Sequence, residues 1–353
     1  MPAVRIAVIG AGVIGARHVG VVSSERALAF AALADPAPRT EAVAREHGVP
    51  WFADYRTMLD EVRPDGVVVA SPNRLHVPMA LACIERRIPV LIEKPIADSL
   101  AEAQSIDRAA RTAGVPVLVG HHRRHNPLMR RAKAFIAEGG LGMVVAAAAF
   151  SLRRKHDAYY DVAWKREPGG GPVLINGIHE VDNLRMLCGE IASISAATAN
   201  VARGYPVEDT FAATMRFSNG ALGTLTVSDA VQGPWAWELT SREEPEFAWE
   251  NENALLVCGT TSSLAVPSLE RWHNERGGGR GDPAVRSRLY YRPADPMREE
   301  LLHFARVIRG EEKPLVSAED ATRTLACVLA IHRSAQTGQW VDIDALLAQG
   351  GTA

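Results

Sequence analysis

Three stretches of this chain carry side chains suited to moving a proton at an oxygen atom. They are Glu93-Lys94-Pro95, the segment from Val173 to Leu187, and the run His121 to Pro127. A neutral imidazole is a base near pH 7, so His179 could take the proton of a hydroxyl within hydrogen-bond reach. The ammonium of Lys94 would polarise the same oxygen and stabilise developing alkoxide charge. If residues 173–187 form a helix, Asn176, His179 and Asn183 share a face at spacings of three and four, with Asp182 beside His179. Asn176 would then orient a substrate. The plainer reading is a helix histidine bonded to Asp182 for stability.

Two further residues are substrate candidates. Lys165 follows Trp164 just before Gly169-Gly170-Gly171, a glycine run that would admit a ligand closely. A solvated lysine is the alternative there. His122, or Arg123, could face the substrate from the strand before it. His121, His122 and His125 invite a metal reading, but adjacent histidines on a strand point to opposite faces and no acidic cluster accompanies them. No metal is expected. The aromatics Trp235, Trp237, Phe247 and Trp249 suit a substrate mouth, a subunit contact or core filling equally well.

These residues need elements to hold them. From Arg5 to about His121, short apolar runs alternate with amphipathic stretches, the pattern of β-α-β units feeding a parallel sheet. Strands are expected over 4–9, 28–33, 66–70, 90–92 and 115–119, and a helix over 99–113, where Ser99 and Glu102 form a capping box. The first strand runs into Gly10-Ala11-Gly12-Val13-Ile14-Gly15. In such a turn the first glycine permits the bend, the second lets the backbone approach a pyrophosphate, and the third lets helix pack on strand. With 29 glycines in the chain a bare match is weak. Requiring an acid about 20 residues further on cuts chance matches to about 0.02 per chain, and Asp35 stands there.

The implied ligand is a nicotinamide dinucleotide. Asp35 would accept hydrogen bonds from the ribose hydroxyls and repel a 2′-phosphate, which favours NAD over NADP, although Arg39 lies close enough to bind that phosphate. Ligands of open α/β sheets sit beyond the carboxyl ends of the strands. That directs attention to Ser71-Pro72-Asn73 with His76, to Glu93-Lys94-Pro95 and to His121 onwards. Whether Lys94-Pro95 is cis is open from sequence.

After about Asn126 the pattern changes. A helix over 126–138 precedes long alternating stretches, 143–152 and 191–201, that suggest an antiparallel sheet. Residues 210–217 and 221–228 flank Asn219-Gly220, a strong hairpin signal. Residues 276–292, rich in glycine, arginine and proline, read as a mobile loop. Helices over about 296–309 and 317–336 follow. The division expected is a dinucleotide-binding domain over 1–122 and an α/β substrate and oligomerisation domain over 123–353, with helices 296–336 packing back on the first.

Composition narrows the partners. In 353 residues, 39 Lys and Arg face 41 Asp and Glu, so no net field draws a polyanion such as nucleic acid. No apolar run reaches the roughly 18 residues of a membrane span. Cys83, Cys188, Cys258 and Cys327 show no zinc or redox spacing, which suits reduced thiols in a cytoplasmic protein.

Taken together, the glycine turn, Asp35, Ser71-Pro72-Asn73 with His76, Glu93-Lys94-Pro95, Arg124 to Pro127, and Gly169-Gly170-Gly171 leading to His179 and Asp182 resemble the Gfo/Idh/MocA oxidoreductases. The resemblance implies an α/β fold: a Rossmann parallel sheet followed by an α+β domain with a large, mostly antiparallel open sheet, whose outer face makes a dimer or tetramer. It implies that Lys94 and His179 flank the nicotinamide and the reacting carbinol, that Glu93 and His76 contact the nicotinamide end, and that Arg124 lies beside the site. The family usually has Asp where this chain has Asn176. The implied reaction moves a hydride between NAD and a secondary alcohol or ketone of a sugar, inositol, polyol or cyclic diol. Two other uses stay open: a lyase or glycosidase in which oxidation is transient, and a catalytically silent NAD-binding regulator, which would need the dinucleotide site without the Lys94 and His179 present here.

Overall fold

The computed structural model describes residues 2–275, 278 and 280–350. Its residues cluster into two units, one formed by 2–125, 294–325 and Gly350, the other by the described residues of 126–293 and 326–349.

The first unit holds a six-stranded parallel sheet: β1 (Val4–Ile9), β2 (Leu28–Ala34), β3 (Trp51–Phe52), β4 (Gly66–Val69), β5 (Val90–Glu93) and β6 (Val117–Gly120). The order is β3-β2-β1-β4-β5-β6. Strands β4, β5 and β6 are buried at every position, which is why they read as unbroken apolar runs; a parallel sheet is covered on both faces. The strand order reverses between β1 and β4, and their carboxyl ends open the crevice where such sheets bind ligands. The last strand starts at Val117 rather than Val115. The helix Leu100–Ala113 is capped by Ser99, whose Oγ accepts from the Glu102 N–H at 3.3 Å. The helix Pro296–Ile308 belongs to this unit, and its Phe304 and Ile308 side chains close over Gly66.

The second unit holds a nine-stranded sheet in the order β14-β13-β12-β11-β7-β10-β9-β8-β15. Its strands are β7 (Val144–Leu152), β8 (Ile191–Ala199), β9 (Thr210–Phe217), β10 (Leu222–Ser228), β11 (Leu255–Gly259), β12 (Ser262–Val266), β13 (Glu270–His273), β14 (Val285–Arg288) and β15 (Val341–Asp342). All pairs are antiparallel except β7 with β10. Burial alternates residue by residue along β9, so one face of the hairpin is core and the other is open. At the turn Gly220 adopts φ 89°, and Asn219 Oδ1 accepts from Ala221 N–H at 3.1 Å. The open face carries Val145, Leu222 and Leu256 as exposed apolar side chains.

Two expectations change. Within 276–292, residues 285–288 form β14, because pairing with β13 supplies the hydrogen bonds that local composition does not advertise. Residues 276, 277 and 279 of that stretch lie outside the described residues. His121 to His125 do not continue a strand: β6 ends at Gly120 and His122–His125 form a 3-10 turn, so the opposite-faces argument does not apply to them.

Candidate functional site

The first unit builds a cradle at the end of β1. Gly10 has φ 96°, and a Cβ there would lie 2.5 Å from the Ala70 carbonyl oxygen. At Gly15 it would lie 2.0 Å from the Gly10 carbonyl oxygen, so the helix Val13–Ser24 can approach the strand only with glycine there. At Gly12 a Cβ would meet nothing within 4 Å, which leaves open space where a pyrophosphate belongs. Gly12 caps this helix without any side-chain bond, and the first turn holds no acid, so its amides stay free for an anion. Val13 and Ile14 are exposed beside that space.

Asp35 closes one side of the cradle. Its Oδ2 accepts from Ala11 N–H and its Oδ1 from Ala37 N–H, both at 2.8 Å. The carboxylate thus fixes the glycine turn and keeps further lone pairs for a ribose. On the other side, Ser71 Oγ is buried with no hydrogen-bond partner among the described residues. Asn73 opens the 3-10 turn Asn73–Leu75 beyond it. Free helix amides, an unfilled glycine face and an orphaned hydroxyl fit a dinucleotide.

His76 is buried, and its ring spans two turns. Nδ1 lies 2.8 Å from the Pro95 carbonyl oxygen and Nε2 2.9 Å from that of Ser71. It therefore ties the turn after β4 to the turn after β5 rather than offering a nitrogen to a ligand. Glu93 is similarly committed: Oε1 lies 2.7 Å from His18 Nε2, and Oε2 accepts from the Lys94 N–H at 3.2 Å. Burial would raise its pKa, yet the His18 hydrogen bond and charge, with His122 and Lys94, hold it well below the usual carboxylate range. The sequence reading missed His18, although Gly15, His18, Val19 and Val22 form the buried stripe of one helix. Lys94 is half-buried and joined to Pro95 by a cis peptide bond.

Arg124 pairs with Asp320 at 3.0 Å. His122 is half-buried, while His121 and His125 are buried. Ligand-capable atoms of His18, Glu93 and Glu300 lie within 4.8 Å of one another, but the 2.7 Å His18 contact to Glu93 is that of a hydrogen bond.

In the second unit the expected single helix over 173–187 divides. Val173–Gly177 is a π-helical turn, and the α-helix runs over Ile178–Cys188. Glu208 Oε1 accepts from the Val173 N–H at 3.0 Å and sets where the turn begins. The π turn breaks the simple spacing of three and four, so Asn176 and His179 do not follow from α-helical geometry alone. Asn176 is buried, and its Oδ1 accepts no hydrogen bond from the described residues. Along Ile178–Cys188 every residue is buried except His179, which is half-exposed. Asn183 Nδ2 donates to Glu180 Oε2 at 3.2 Å.

Within the glycine run Gly169 leaves open space, since a Cβ there would meet nothing within 4 Å, but its two neighbours do not. A Cβ at Gly170 would lie 2.3 Å from the Trp164 carbonyl oxygen, and one at Gly171 would lie 2.3 Å from Glu208 Oε1; the chain itself fills those approaches. Lys165 is half-buried, its Nζ 3.5 Å from the Tyr159 ring centroid. Of the aromatics, Trp237 is core, with Nε1 donating to Glu243 Oε2 at 2.9 Å, while Trp235 and Trp249 are exposed.

Residues 4–121 match the family model described as the oxidoreductase family, NAD-binding Rossmann fold, and residues 129–265 match the GFO/IDH/MocA C-terminal domain. D-xylose 1-dehydrogenase (NADP(+)) 2 of Haloferax volcanii is 27% identical, over 94% of this chain and 99% of its own. The scyllo-inositol 2-dehydrogenase (NAD(+)) of Bacillus subtilis is 27% identical, over 99% of this chain and 98% of its own. A putative NADPH-dependent oxidoreductase from Desulfitobacterium hafniense shares the fold with a TM-score of 0.84 at 20% identity, covering 98% of this chain and 99% of that one. Among the described residues no helix is long and apolar enough to cross a membrane. With the Rossmann cradle in one unit and a mostly antiparallel sheet in the other, the two matched models identify this chain as a member of the Gfo/Idh/MocA family of oxidoreductases.

Proposed function

We propose that this chain is an NAD-dependent dehydrogenase or reductase acting on a secondary alcohol or ketone of a sugar, inositol, polyol or cyclic diol. The observation that carries the reading is His179: it is the one residue not buried along an otherwise buried helix, three residues after Asn176 with its open acceptor. The sugar and inositol dehydrogenases among the relatives support the substrate class. Residues 1–122 hold the dinucleotide and 123–353 the substrate.

NAD, when bound, accepts or returns a hydride. Gly10, Gly12, Val13, Ile14 and Gly15 cradle its pyrophosphate, Asp35 binds the ribose and disfavours a 2′-phosphate, and Ser71 and Asn73 line the way to the ring. Glu93, His76 and Arg124 act behind that surface by fixing the turns that carry it. His179 holds the proton of the reacting hydroxyl as general acid and base. Lys94 polarises that oxygen, and Asn176 accepts a hydrogen bond from a neighbouring hydroxyl. His122 and Lys165 border the substrate.

The test is a screen of sugars, inositols, polyols, sugar lactones and dihydrodiols with NAD and with NADP, following absorbance of reduced nicotinamide. Turnover with NADH accumulation is expected, and Lys94→Ala and His179→Ala should each lower kcat/KM by about 10²–10⁴. Near-wild-type turnover in both variants would sink the assignment. The open face of the nine-stranded sheet, with Val145, Leu222 and Leu256, serves a homo-oligomer, read by sedimentation. Cys83, Cys188, Cys258 and Cys327, with neither zinc nor redox spacing, suit the reducing cytoplasm.

A further inference from the structure

Strand β7 is followed by a basic run, Arg153-Arg154-Lys155-His156, of a kind that ordinarily faces water. Lys155 does not: it is only 5% exposed. Its N–H donates to the Asp229 carbonyl oxygen at 2.8 Å, which fixes it beside the end of β10. Its ammonium lies 3.6 Å from Asp229 Oδ2 and 4.5 Å from the centroid of the Tyr159 ring.

That carboxylate is already shared. Tyr160 OH donates to Asp229 Oδ2, and Arg203 Nε donates to Oδ1 at 3.4 Å. An ammonium has three donors, and the Lys155 Nζ finds no hydrogen-bond acceptor among the described residues. A ring face offers a desolvated cation about 2 kcal/mol, short of the several kcal/mol that burial costs. Burial accordingly pulls the Lys155 pKa down to about 8, against the pull of Asp229 and Glu238 and with the push of Arg153.

A second ammonium reaches the same ring. Lys165 Nζ sits 3.5 Å from the Tyr159 centroid, and partial burial lowers its pKa as well. No described carboxylate forms an ion pair with Lys165. Lys165 is half-buried and reaches solvent, whereas the Lys155 ammonium is enclosed behind the same ring.

Sheet register relates the pair to the proposed chemistry. A Cβ at Gly177, next to Asn176, would lie 2.9 Å from the Phe211 ring. Phe211 pairs with Val227, and Asp229 follows two residues later. The turn carrying Asn176 and the backbone carrying Lys155 therefore lie toward the same end of the central strands β7, β10 and β9.

We propose that Lys155 and Lys165, gathered on Tyr159, bind an anionic group of the substrate, so that the chain acts on acidic sugars, bearing a carboxylate or a phosphate, rather than on neutral ones. This rests on the dehydrogenase reading for the carbon that reacts, but not for the binding itself. Two ammonium groups without hydrogen-bonded carboxylates gain most from a ligand that brings its own charge. A neutral polyol leaves the buried one with only its 3.6 Å ion pair to Asp229, a carboxylate that Tyr160 and Arg203 also use.

The experiment is calorimetric titration of the full chain, with and without NADH, using D-gluconate, D-glucose 6-phosphate and the neutral D-glucose and D-glucitol. One acid should bind at least about tenfold tighter than its neutral counterpart, and which acid does so distinguishes carboxylate from phosphate. Lys155→Met and Lys165→Met should each erase most of that preference, while Lys155→Arg and Lys165→Arg keep part of it. Should Lys155→Met fail to fold, Lys155→Arg and Lys165→Met carry the comparison. Equal affinity for acids and neutral sugars, no binding of either acid, or a preference that survives Lys165→Met would overturn the proposal. Failure of the dehydrogenase reading shows separately, as absent NADH binding alongside an intact acid preference.

Discussion

His18 Nε2 stands 2.7 Å from Glu93 Oε1, and both side chains are buried. The pair joins the helix that follows the glycine turn to the strand that ends at Glu93, just before Lys94. Because Glu93 also accepts from the Lys94 N–H, one carboxylate ties the phosphate cradle to the residue proposed to polarise the substrate.

Glu93→Gln keeps the shape and removes the charge. It should lower stability by about 1–3 kcal/mol, the cost of weakening a buried charged hydrogen bond, and lower kcat about tenfold or more by loosening Lys94. The sign with pH follows from the depressed folded pKa. The stabilisation is complete above the unfolded value near 4.5 and is lost as pH falls through the folded one. Urea unfolding of wild type and variant should show their gap narrowing across that acid range.

His76→Ala would unlink the Ser71 and Pro95 carbonyls. Neither turn loses a side chain that touches the dinucleotide, yet both lose their common brace. NADH affinity, read by fluorescence titration, should fall about tenfold while the chain stays folded.

The glycines of the cradle should separate by role. Gly12→Ala meets no protein atom, so thermal stability should stay within about 0.5 kcal/mol of wild type while NADH affinity collapses. Gly15→Ala forces a methyl group onto the Gly10 carbonyl and should cost about 1–3 kcal/mol in unfolding free energy. Equal stability loss in both would contradict the assignment of open space at Gly12.

Asp35→Ser should move the cofactor preference. Removing a charge a few ångströms from a 2′-phosphate relieves repulsion of about 1–4 kcal/mol, a tenfold or larger gain in the NADP to NAD affinity ratio. Parallel titrations with NADH and NADPH measure it.

Much of this was legible in local order. Gly10 to Gly15, Asp35 and the apolar strands announce themselves because a parallel sheet buried on both faces needs unbroken apolar runs, and a phosphate turn needs glycine at fixed places. The Asn219-Gly220 hairpin was equally plain, since its positive φ is a demand on residue type. His121 to His125 and residues 285–288 were misread where a turn or a partner strand, remote in sequence, supplied the hydrogen bonds.

The chain order by itself determined the Rossmann half and, through the resemblance of its motifs, the family, because those depend on residue type at short spacing; it also put forward Lys94, Asn176 and His179 as candidates. Only the tertiary structure decided that His76 and Glu93 brace the site, that a π turn precedes His179, and that Lys155 is buried beside Asp229. Those facts arise from contacts between residues tens of positions apart, and local sequence carries no record of which distant carbonyl, carboxylate or ring a side chain will meet.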